Sequence, residues 1–168
     1  MVEKDVILKE QFRLKGMTRF EEFYELAYNW LKDEDYIITE KKYEEVAQPG
    51  EAKEVRIEWE ATKKITDYFR IGLDIKWQVL GMKDIEVEID GAKKKMQKFS
   101  ELKMDLKGTL EKDYGSKWGA SGFNKFLREI YDKYIIPVRT EQMETKVRET
   151  VQSFKDELKA FLELEGIR

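Results

Sequence analysis

Residues 69–79, FRIGLDIKWQV, place Phe69, Ile71, Leu73, Ile75, Trp77 and Val79 on one parity and Arg70, Asp74, Lys76 and Gln78 on the other. Successive side chains of a strand point to opposite faces, so this run is a strand with one greasy and one wet face. The rhythm extends to both sides. Upstream, Val55, Ile57, Trp59 and Ala61 alternate with Arg56, Glu58 and Glu60. Downstream, Ile85, Val87 and Ile89 alternate with Glu86, Glu88 and Asp90, and Leu102, Met104, Leu106 and Leu110 follow, with Gly108 at an expected bulge. Turns are expected at 48–50, near 62–66, at Gly81, and at Asp90-Gly91, a pair suited to a primed hairpin turn.

Outside this ladder, Val6, Leu8, Phe12 and Leu14 predict a half-buried strand over 4–14 that Gly16 ends, and 36–46 suits another strand. Thr18-Arg19-Phe20-Glu21 matches a capping box, which predicts a helix over 18–32 with Phe20, Phe23, Ala27 and Leu31 on its apolar face. Phe123, Phe126, Leu127, Ile130, Tyr131 and Tyr134 recur at helical spacing, and Pro137 ends or kinks that helix. Met143, Val147, Val151, Phe154, Leu158 and Phe161 carry a second helical stripe. The expected fold class is therefore α+β. A curved antiparallel sheet of about six strands packs against a long C-terminal helical region in one domain, 1–168, whose helix over 140–166 extends to the edge of the core or beyond it.

Strand, helix, antiparallel ladder and terminal helix, in that order, resemble the helix-grip arrangement of the SRPBCC group (START and Bet v 1-like proteins). The resemblance is one of topology, and no motif of the group is matched. It implies a cavity for an apolar or amphiphilic small molecule between sheet and helix. Residues placed to line such a cavity are Trp59, Trp77, Tyr36 and Phe69 from the strands, and Phe123 and Tyr131 from the helix.

Composition narrows the chemistry. The 168-residue chain has neither Cys nor His. Ser-His-Asp, Cys-His and structural zinc systems are thereby excluded, and no P-loop or G-x-G-x-x-G occurs. No catalytic residue and no cofactor is implied, and binding ranks above catalysis. No apolar stretch has the length of a signal peptide or a membrane span, so the expected location is the cytoplasm. Abundant Lys and Glu, with Asn only at 29 and 124, is the pattern of thermophile proteins.

Charge is unevenly spread. Residues 1–60 hold 10 basic and 16 acidic side chains, whereas 92–118 hold 8 lysines against 4 acids. Lys93, Lys94, Lys95 and Lys98, continued by Lys103 and Lys107, form a candidate ribbon for nucleic acid or another anion. Lys117, in a glycine-rich connection before a helix, is a further anion candidate. The absence of arginine from this stretch and the acidic isoelectric point argue against nucleic acid. A remaining reading is a homodimer or protein partner held by the stripe within 140–164.

Overall fold

The computed structural model describes residues 3–66, 68–112 and 136–167. The long alternating runs form an antiparallel sheet, curved but not closed, of five strands among the described residues. These are β1 (Glu3–Arg19), β2 (Ile37–Ala47), β3 (Lys53–Lys64), β4 (Phe69–Ile89) and β5 (Ala92–Lys112), in the spatial order β1-β5-β4-β3-β2. Among the described residues, two helices cover its apolar face, α1 (Phe20–Asp33) between β1 and β2, and α2 (Ile136–Ile167) toward the C-terminal end.

The runs at 69–79 and 85–89 are one strand, because Gly81 is not a turn. It sits in β4 with φ +67°, a conformation that costs glycine little. Val79 and Met82 are both buried, as are Leu102, the partner of Val79, and Phe99 on β5, so both strands change their inward parity here together. The two-residue turn lies where expected, with Asp90 (φ 52°) and Gly91 (φ 80°) joining Ile89 to Ala92. The irregularity near Gly108 belongs to β1, between Val6 and Leu8.

The start of α1 differs from the capping-box expectation. β1 continues past Gly16 through a bulge between Lys15 and Thr18, and Thr18 is a buried ladder residue opposite Phe99. The helix begins at Phe20, with Arg19 as N-cap and no side-chain cap bond. Sheet pairing has taken the backbone that the Thr18 cap needed. Arg19 instead bonds Glu22 at 2.8 Å.

Phe23, Ala27 and Leu31 of α1 are fully buried, and each large side chain contributes about 1.5–3 kcal/mol by leaving water. α2 opens with Pro137 in its first turn, where the missing N–H costs nothing, so Pro137 marks the start of this helix. Its stripe of Val147, Val151, Phe154, Leu158 and Leu162 is buried, and Met143 and Phe161 pack on the same cluster half-buried. The chain's own sheet and α1 therefore cover the stripe offered to a partner. Trp30 meets Phe154 at 5.2 Å between ring centroids, and Lys155 reaches Glu10 of β1 at 3.0 Å.

Candidate functional site

The strand-borne residues expected to line an apolar cavity are packed against one another. Trp59 and Trp77 meet edge to face with centroids 4.6 Å apart, and Phe23 and Tyr24 of α1 close on them at 5.5 and 5.1 Å. Phe69 is buried beside Tyr68, at 5.0 Å. Tyr36 is buried at the end of α1, where burial pushes its hydroxyl up to about 12, and Lys63 lies over its ring. Phe123, Tyr131 and Lys117 lie outside the described residues.

Two cavities open on the other face of the sheet. One, of about 610 Å³, is lined from Gln11 and Arg13 on β1 through β5, β4 and β3 to Lys42 on β2. A second, of about 420 Å³, adjoins it and shares Gln11, Glu58, Lys76 and Asp105. Together they make an open trough across all five strands.

Strand register arranges the charges of this trough in rows. The middle row runs Gln11, Asp105, Lys76, Glu58, Lys42, alternating in sign from Asp105 onward. That row is self-neutralising, with Lys76 3.9 Å from Glu58. The adjacent row runs Arg13, Lys103, Gln78, Arg56 and ends at the carboxylate Glu44 on β2, so its donor segment is Arg13 to Arg56. It crosses four neighbouring strands, which at about 4.8 Å per step is about 14 Å. Arg13 and Lys103 stand directly opposite each other, a like-charge pairing that costs a sheet stability.

Carboxylates behind this row hold it in place. Arg13 pairs with Glu101. Arg56 donates to Glu54 at 2.8 Å, and the Gln78 amide donates to the same Glu54 oxygen. Hydrogen bonds from Arg56 and Gln78 hold the buried Glu54 carboxyl below the usual carboxylate range, and the Arg13 bond does the same for Glu101. Lys103 has no carboxylate within 4 Å among the described residues. The result is a fixed line of two guanidiniums and an amide, with an ammonium between them that has no ion-pair partner among the described residues. Planar guanidiniums suit the paired oxygens of phosphate or carboxylate.

The lysine ribbon divides at the middle of β5. On the hairpin, Lys93 and Lys95 stand opposite Glu88 and Glu86 of β4, so acids across the ladder balance them. Lys98 is half-buried opposite Lys83, Lys94 stands opposite Val87, and Lys103 and Lys107 line the trough. Arg13, Gln78 and Arg56 were not anticipated. Each appears in sequence only as the polar member of an alternating run, and the register that joins them is not local. No family model, no curated protein and no solved structure matches this chain.

Proposed function

We propose that the protein is a non-enzymatic binding module whose polar sheet face holds a compact, multiply charged anion. One observation carries this reading: Arg13, Lys103, Gln78 and Arg56 form an unbroken row of donors inside an open trough, on a chain whose net charge is −3. An ordinary solvated face lowers its own energy by alternating charge, as the neighbouring row does. The donor segment forgoes that gain along itself: Glu101, Glu54 and Glu44 flank its two ends, Lys103 at its centre has no ion pair among the described residues, and an anionic ligand supplies a countercharge there. The same reading keeps the helix-grip-like element order, a cytoplasmic location and a thermophilic source as part of the proposal. The apolar ligand implied by the helix-grip resemblance has less behind it, because Trp59 and Trp77 are engaged with each other and with α1.

Isothermal titration of the full chain with tripolyphosphate tests the proposal. Saturable binding that weakens as salt rises is expected, since exposed charges are screened within about 8–10 Å at physiological ionic strength. Orthophosphate, which spans less of the row, binds more weakly. Absence of binding at low salt, or binding untouched by Arg56→Gln, overturns it.

A further inference from the structure

The geometry points to a second site, independent of the trough and opposite in charge preference: an aromatic cage for an alkylated ammonium group. It lies on the helix side of the sheet, where the first turn of α1 passes β2 and β5. A cavity of about 250 Å³ there is lined by Phe20, Tyr24 and Tyr43, with Glu21 and Gln97 at its rim. The volume suits a trimethylammonium head. Phe20 and Tyr24 stand at 5.9 Å with a 48° tilt, so their rings form a corner rather than a closed stack. Tyr43 projects from β2, an edge strand, and is 46% exposed, although large aromatic rings are usually buried.

The electrostatics favour a cation. Among the described residues no Lys or Arg lines this cavity; Arg19 and Lys95 line the hollow that adjoins it at Glu21 and Gln97, where Glu22 and Asp84 stand beside them. Glu40, the residue on β2 opposite Trp59, accepts hydrogen bonds from the Tyr24 hydroxyl at 3.0 Å and from the Trp59 indole N–H at 3.3 Å, which fix its charge behind the rings. Burial and Glu40 together push the Tyr24 hydroxyl up to about 12. Burial, Glu45 and Glu40 raise Tyr43 as well. Both rings thus stay neutral, with electron-rich faces, at any physiological pH. A cation over such faces is attracted by their quadrupoles, and nearby carboxylates add to the attraction. An alkylated ammonium suits this cavity better than a bare one, because its methyl groups fill apolar space and need no hydrogen-bond acceptors.

The shared chemistry has two natural sources, a free quaternary amine and a trimethylated lysine side chain of another protein. Choline and a short trimethyl-lysine peptide are therefore titrated separately into the full chain, followed by backbone amide shifts. Saturable shifts confined to residues 20–24, 40–43 and 97 are expected for at least one probe, and the tighter one names the source. The uncharged isostere of choline, 3,3-dimethylbutan-1-ol, binds weaker by about tenfold or more, the signature of cation–π attraction over plain burial. Tyr43→Ala weakens binding by a similar factor, whereas Tyr43→Phe keeps it. The half-exposed position of Tyr43 leaves the fold intact in both variants, which near-ultraviolet circular dichroism checks. Equal binding of choline and its isostere overturns the cage, as does a Tyr43→Ala variant that binds like wild type, or the failure of both cations to bind.

Discussion

Val147 of α2 rests directly on Gly108 of β5: a Cβ at Gly108 would lie 2.6 Å from Val147 Cγ1 and 3.0 Å from Val151 Cγ2. The missing side chain is what lets the helix descend onto the sheet. Overfilling such a contact costs about 1–3 kcal/mol, so Gly108→Val lowers the urea midpoint clearly and Gly108→Ala lowers it less. Val147→Ala in the Gly108→Ala background recovers part of the loss, because the two changes share one space. A double variant whose loss equals the sum of the Gly108→Ala and Val147→Ala losses would show that the helix is not seated there.

Among the described residues Trp77 is the largest fully buried side chain, and it touches Trp59, Phe23 and Tyr24. Trp77→Ala is expected to cost about 3–5 kcal/mol, the range for removing a large core aromatic. Denaturant unfolding measures it. A loss under about 1 kcal/mol would mean that the space around the ring is loosely filled, which would revive the apolar-ligand reading.

The central β-strands were legible because the chain writes them locally. The alternation of 55–61 and 69–79 and the Asp90-Gly91 pair each state their structure within a few residues. The stripe of α2 was legible for the same reason. Gly81 misled because a glycine between two alternating runs reads alike as a turn and as a change of parity inside one strand. Thr18 misled because a capping box is a local offer, and the ladder with Phe99, eighty-one residues away, outbid it. The trough was illegible on other grounds. Its donors come from four strands, and only the pairing of β1 with β5 puts Arg13 beside Lys103.

Glu54 links acid stability to the trough. Its carboxyl titrates lower in the folded chain than in the unfolded one, where the value is about 4.3. A depressed carboxylate contributes stability that is fully present above the unfolded value and is lost as pH falls through the folded one. Glu54→Gln is therefore less stable than wild type at pH 7, and the gap narrows as pH falls below about 4.3. Urea midpoints of both proteins across that window check it. A gap that stays constant with pH would show that the carboxylate's charge is not what is lost.

Tyr24 and Tyr36 set the alkaline limit, since both titrate near 12 in the folded chain against an ordinary value of 10.0. The unfolded chain releases these protons first, so the stability they supply is complete below pH 10 and is lost as pH climbs toward 12. Absorbance at 295 nm is expected to show tyrosinate forming in two phases. The second coincides with loss of the near-ultraviolet dichroism of the buried rings. A single phase centred at the ordinary value would contradict the raised titration of both hydroxyls, by burial at Tyr36 and by partial burial and Glu40 at Tyr24.

Lys103 separates binding from folding. Its ammonium is repelled by Arg13 across the ladder and attracted by Glu54 and Glu101 behind the row, so its electrostatic effects on the free protein largely cancel. Lys103→Gln is then expected to leave stability within about 0.5 kcal/mol, as for a surface substitution away from special features. A bound anion contacts the Lys103 ammonium directly, whereas the carboxylates are turned to Arg13, Arg56 and Gln78 and stand farther from it. Affinity for tripolyphosphate should fall by about tenfold, which is 1.4 kcal/mol, for the loss of one charge-assisted bond. Its salt dependence should become shallower, as one charge fewer remains to be screened. Parallel loss of stability and affinity would make Lys103 a structural residue and would remove the centre of the donor row.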